Sequence, residues 1–237
     1  MQNRILFHNG KSLEVPVIQG GMGVGISLSS LAGAVMKEDG MGVISAAHPG
    51  YRKPDFWKNS MICNIQAMHE EIAKAKEWAQ GKGLCGVNIM VASKDYEFYV
   101  KAAVDAKADA IISGAGLPMH LPAIVKDADI LLAPIVSSGR AAKLILKTWD
   151  RHHHRLPDFI VIEGSLAGGH LGFKKEDLIT NKAEPLEKIL ADVKALLPEF
   201  EERYQRQVPI FVAGGIYDAQ DIRPVSYTHL RAHETGA

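Results

Sequence analysis

The run Glu163-Gly164-Ser165-Leu166-Ala167-Gly168-Gly169-His170-Leu171-Gly172 holds the residues best suited to chemistry. It follows an apolar stretch, Phe159 to Ile162, that reads as a buried strand. Glycines after a strand let backbone amides come close to a ligand, because no Cβ intervenes. A histidine at the end of such a turn stands beside that ligand with a ring that exchanges protons near neutral pH. His170 is therefore the candidate catalytic group. The alternative is a histidine that only hydrogen-bonds in a polar cleft.

Other motifs fall at similar places. Gln19-Gly20-Gly21-Met22-Gly23-Val24-Gly25 follows the first apolar run. Its glycines let a planar ligand lie on the backbone, with Met22 as a polarizable contact, or they simply make a tight turn. It is not a dinucleotide fingerprint of the usual kind, because the second strand ends in Ser45-Ala46-Ala47 rather than in an acid. Asn88 sits within an apolar strand, where its amide must find partners in neighbouring backbone or in the edge of a heteroaromatic ring. Ser113-Gly114-Ala115-Gly116 and Ser137-Ser138-Gly139 end two further strands and suit ordinary loops. Ala213-Gly214-Gly215-Ile216, followed by a helical pattern from Asp218, has the form of an anion site, and phosphate is the expected occupant.

Two clusters are set aside. His152-His153-His154 reads as a solvated loop, since consecutive side chains diverge and no carboxylate or cysteine lies at ligand spacing; no metal is expected. Cys63 and Cys85 have no metal or redox spacing and are read as structural.

The elements that must position these residues alternate. Seven apolar runs read as strands: Val15 to Gln19, Met41 to Ser45, Leu84 to Val91, Ala110 to Ser113, Leu131 to Val136, Phe159 to Ile162 and Pro209 to Ala213. Between them lie helical patterns over Leu28 to Lys37 (with Ser27 as N-cap), His69 to Gln80, Asp95 to Ala106, Gly139 to Trp149 and Glu187 to Tyr204. Pro198 is expected to interrupt the last. Strand–helix alternation with near-continuous apolar strands implies a parallel sheet covered on both faces, and both a barrel and an open doubly wound sheet fit.

The 237 residues carry 27 basic and 27 acidic side chains, which gives no reason to expect a nucleic-acid partner. No apolar run is long enough to span a bilayer, the N-terminus lacks a signal-peptide core, and two cysteines suit a reducing compartment. A cytoplasmic protein is expected. From Arg223 the character changes to a run with no helical or strand period. The reading is one barrel domain over residues 1–222, lacking its last β/α unit, and a non-native or disordered tail over 223–237, with a natural polar tail as the alternative.

Taken together, Gln19-Gly20-Gly21-Met22, Glu163-Gly164-x-x-Ala167-Gly168-Gly169-His170-x-Gly172 and Ala213-Gly214-Gly215-Ile216 resemble the nitronate monooxygenase family, to which flavin enoyl-ACP reductases are close relatives. The resemblance covers roughly Val15 to Ile222. It implies a TIM-type (β/α)8 barrel with FMN as cofactor, and a small-molecule partner, nitronate or nitroalkane, together with oxygen. It implies flavin contacts from Gly21, Met22, Asn88 and Glu163, a phosphate cradle from Gly168, Gly169, Gly214 and Gly215, and catalysis by His170. The rival activities are an NAD(P)H-dependent flavin enoyl-ACP reductase and an inactive fragment of either; a homo-oligomer is left open. Leu166 stands where relatives usually carry glutamate, and the family's next glycine-rich strand, ending in a Gly-Thr phosphate contact, has no counterpart here.

Overall fold

The structure, a computed structural model, describes residues 4–216 and the backbone of residues 230–234. An N-terminal hairpin, β1 (Ile5–Leu6) and β2 (Ser12–Leu13), precedes seven parallel strands: β3 (Val17–Gln19), β4 (Met41–Ser45), β5 (Leu84–Met90), β6 (Ala110–Gly114), β7 (Leu131–Val136), β8 (Ile160–Glu163) and β9 (Ile210–Ala213). They stand side by side in chain order, the arrangement that consecutive right-handed crossovers produce. These are the seven strands expected from the apolar runs, and the barrel rather than the open sheet is the fold.

The backbone of β10 (Leu230–Glu234) fills the eighth position, parallel to β9 on one side and to β3 on the other. The side-chain pattern predicts no strand there. Ladder bonds are made by main-chain groups common to every residue, and seven strands alone leave two unpaired edges, so such a gap accepts a segment without apolar alternation. The helical pattern from Asp218 lies outside the described residues.

Alternate strand residues point to opposite sides. Ile18, Met41, Val43, Ile112, Val161 and Phe211 fill the barrel interior. Ile44, Val87, Ile111, Leu132, Ile162 and Val212 point outward under the helices. Those helices are α1 (Ser29–Lys37), α2 (Ser60–Ala79), α3 (Tyr96–Asp105), α4 (Leu121–Val125), α5 (Gly139–His153), the short α6 (Lys175–Ile179) and α7 (Leu186–Tyr204).

Three helical expectations change. Helix α2 starts at Ser60 rather than His69; the polar Asn64 on its inward face interrupts the apolar pattern of the first turns. That side chain is buried, donates to Tyr99 Oη (3.0 Å) and accepts from the Gly50 amide (3.0 Å). Helix α5 runs on through His152 and His153, and His154 is its left-handed cap, so these histidines are not a loop; a His153 ring nitrogen lies 3.2 Å from Met119 O. No breaker precedes Pro157, and cationic residues suit a helix C-terminus. Helix α7 continues through Pro198, held by Ile189, Val193, Leu197 and Phe200 buried along one face. Among the described residues there is no cluster of three or more metal-capable side chains, and no helix long and apolar enough to cross a membrane. Cys63 and Cys85 are free and buried, and burial pushes the Cys85 thiol up to about 12.

The hairpin closes the end of the barrel where the strands begin. Phe7 packs on Phe159, and Phe159 on Phe211, with ring centroids 5.7 and 5.3 Å apart. Beside them Asp158 is fully buried. Its carboxylate meets His8 (3.0 Å), Arg206 (3.0 Å), Arg155 (3.3 Å) and the Leu132 amide (2.7 Å). This network ties the hairpin, α5's exit and α7's exit to β7 and β8, and leaves the opposite end of the barrel open.

Candidate active site

At that opposite end, where the strands finish, lies a cavity of about 500 Å³. Seven of the nine residues singled out from sequence line it. Gly21 and Met22 come from the β3 loop and Asn88 from β5. Glu163 ends β8, and Gly168, Gly169 and His170 follow it. Gly214 and Gly215 do not line it. They turn beside the β8 loop at φ +99° and +81°, and a Cβ on Gly214 would lie 2.6 Å from the Ala167 nitrogen. Leu166 points outward and is 71% exposed.

The β3 loop is held by Ser27. The sequence suggests this residue as the cap of α1, but the helix begins at Ser29 and its first amide bonds instead to Glu71 Oε2 (2.8 Å). Ser27 is fully buried. Its hydroxyl accepts from the Met22 amide (2.8 Å) and from Gln19 Nε2 (2.7 Å), and donates to Gly20 O (3.1 Å). Gln19 in turn accepts from the Val43 amide (3.0 Å). Two buried side chains thus fix the Gly20–Met22 backbone against β4, which a loop of glycines could not do alone.

Asn88 and Glu163 face the cavity differently from most polar groups in the protein. Among the described residues, nothing hydrogen-bonds the Asn88 carboxamide, although its Oδ1 and Nδ2 can use up to four bonds. Among the same residues the Glu163 carboxyl has no hydrogen-bonding or charged partner either, and burial pushes it up to about 7. Polar groups at a half-buried cavity wall without protein partners are what a ligand with polar edges would satisfy. His170, exposed on the cavity rim, adds a proton-transfer group to the same wall as Glu163.

A second imidazole, His48, also lines the cavity. It was missed by reasoning from glycine motifs. Its signal was position alone, just beyond the end of β4, where barrel enzymes keep functional side chains. The residue holds a left-handed backbone (φ 54°), and its ring meets Phe56 edge-on at 5.5 Å. Ser113 does not reach the site: its hydroxyl bonds Ile89 O (2.9 Å) and Tyr96 Oη (2.8 Å). Ser138 caps α5 by accepting from the Ala141 amide (3.2 Å).

A parallel β/α barrel with glycines, an unpaired amide, a carboxyl and imidazoles gathered at its C-terminal mouth has the layout of a barrel enzyme. The nitronate monooxygenase family profile matches residues 7–227, and the chain belongs to that family. No curated protein sequence matches it significantly. Among solved structures, a point mutant of FabK from Thermotoga maritima is 21% identical with a TM-score of 0.67, covering 94% of this chain and 61% of its own. Nitroalkane oxidase from Streptomyces ansochromogenes is 20% identical with a TM-score of 0.67, covering 98% and 65%. A mandelate oxidase mutant carrying a monooxide FMN adduct is 14% identical with a TM-score of 0.58, covering 98% and 68%. At these identities the likeness is one of fold, and the chain spans about three fifths of the length of the FabK structure.

Proposed function

We propose that the chain is an FMN-dependent oxidoreductase that oxidises alkyl nitronates with molecular oxygen. The observation that carries this is the convergence of Asn88, Glu163 and His170 on one cavity at the mouth of a nitronate monooxygenase-family barrel. The residues present fit a flavin. The cavity volume lies within the range of cofactor sites, and the unpartnered Asn88 amide suits a heteroaromatic ring edge. Asn88 and Glu163 would bond that ring, Gly21 and Met22 would lie near it, and Gly168 and Gly169, with Gly214 and Gly215 on the next loop, would approach the phosphate.

When bound, FMN would supply the redox chemistry between nitronate and oxygen. The protein's own groups control the proton. A neutral His170 imidazole takes the α-proton of a nitroalkane at a ring nitrogen, and its protonated form then stands beside the nitronate anion. Burial pushes the Glu163 carboxyl up to about 7, which lessens the repulsive charge it would set beside that anion. Gly21 lies against Asn88 so tightly that water has no room between them.

The test is anaerobic mixing of flavin-loaded protein with ethyl nitronate and, separately, with NAD(P)H. Bleaching of the flavin by nitronate and not by NAD(P)H supports the proposal. Rapid bleaching by NAD(P)H alone supports the enoyl-ACP reductase rival. His170→Ala should lose turnover of neutral nitroethane more than turnover of its nitronate; equal retention of both removes His170 from the mechanism.

A further inference from the structure

A second cavity of about 400 Å³ adjoins the first and shares four wall residues with it: Ala115, Ile135, Glu163 and His170. Beyond that shared wall it is bounded mostly by small or apolar side chains, among them Ala92, Leu117, Val136, Ala141 and Leu171. Its polar side chains away from the wall are Ser137 and Ser138, and the hydroxyl of Ser138 is already engaged by the Ala141 amide. Among the described residues, the ionisable side chains that line it are the two at the neck, Glu163 and His170. The catalytic candidate thus stands at the neck between the two cavities.

We infer that the second cavity receives the hydrocarbon chain of the substrate, so that the enzyme favours nitronates with several carbons beyond the reacting one over nitroethane. The inference rests on the nitronate reading for the head group, which His170 meets at the neck. From a head group held there, this opening leads the chain away from the first cavity. Each methylene that leaves water for such walls tightens binding about fourfold. The burial that keeps Glu163 protonated toward neutrality also spares the passing chain a charged wall. Volume sets the limit: the series must level off once the chain fills the cavity.

The test separates the cavity from the reaction. Straight-chain carboxylates carry an inert planar anion in place of the nitronate. Titrating propanoate through octanoate into the flavin-free 237-residue chain by calorimetry should show Kd falling about fourfold per added methylene before it levels. With flavin-loaded enzyme, kcat/KM for the matching nitronates should rise in parallel. Ala141→Trp, which fills the cavity from α5, should flatten both series; Ala92→Phe, on the exposed end of the β5–α3 connection, provides the same test if the first variant folds poorly. A flat carboxylate series in the parent chain, or an unchanged slope in a folded filled variant, overturns the inference. A steep carboxylate series without nitronate turnover leaves the cavity assignment standing and defeats the proposed reaction instead.

Discussion

Gly21 and Asn88 touch backbone to side chain: a Cβ placed on Gly21 would lie 2.3 Å from the Asn88 Cβ and 2.7 Å from its Cγ. The contact is with the rigid root of the asparagine, not its flexible end. Gly21→Ala must therefore move either the β3 loop or β5. Overpacking of this kind costs about 1–3 kcal/mol, which denaturant melts will measure. Because Asn88 is displaced as well, the variant should also bind FMN at least tenfold more weakly.

Ser27 supports the same loop from beneath. Ser27→Ala leaves the part-buried Met22 amide without its acceptor, while Gln19 Nε2 keeps its bond to Gly20 O (2.6 Å). Leaving such a donor unpaired costs about 1–3 kcal/mol. Urea titration should show that loss, and amide exchange at Met22 should accelerate. Ser27→Thr keeps the hydroxyl and should recover part of both effects.

The closed end of the barrel depends on Asp158. Burial, the largest effect on its carboxyl, opposes ionisation, but the His8 hydrogen bond, Arg155, the Leu132 amide and Arg206 together outweigh it and hold the group below the usual carboxylate range. A depressed folded value means stabilisation that is fully present above the unfolded value of about 3.9 and lost as pH falls through the folded one. The parent should lose stability on acidification below about pH 4, and Asp158→Asn should lose less over that interval. Asp158→Ala, which strands buried partners, should cost about 3–5 kcal/mol at neutral pH in thermal or denaturant melts.

Much of this architecture was legible from residue order. Met41–Ser45 and Leu131–Val136 match the apolar runs residue for residue, because strands covered on both faces show an unbroken apolar signal. The start of α2 was hidden by Asn64, a buried polar residue whose partners Gly50 and Tyr99 are distant in the chain. The hairpin β1–β2 has two-residue strands, too short for any period to register. At the cavity, His170 and Asn88 stood out through glycine context and strand position, whereas the role expected of Glu163 came from the family resemblance. His48 has neither a glycine motif nor a period, and only the closing of the barrel brings it to the cavity. Gly214 was read as a ligand cradle, and the structure adds a packing requirement, the close approach of Ala167.

Glu163 predicts a pH effect of opposite sign to that of Asp158. Its folded value of about 7 lies above the unfolded value of about 4.3. The folded protein therefore holds this proton more tightly, and the associated stabilisation is full below the unfolded value and lost as pH rises through the folded one. Glu163→Gln, which cannot ionise, should be more stable than the parent at pH 8, and the difference should shrink toward pH 5. Urea melts at the two pH values check it; a difference independent of pH would mean that Glu163 titrates normally.

The central claim is that the cavity bounded by Gly21, Asn88, Glu163 and His170 holds a flavin. Titration of FMN into the purified chain, followed by flavin fluorescence and the visible spectrum, tests it most directly. The account predicts saturable binding of one FMN per chain, with altered fluorescence and a shifted absorption band, weakened at least tenfold by Gly21→Ala. Flavin fluorescence and absorbance that stay those of free FMN throughout the titration of folded protein would contradict it.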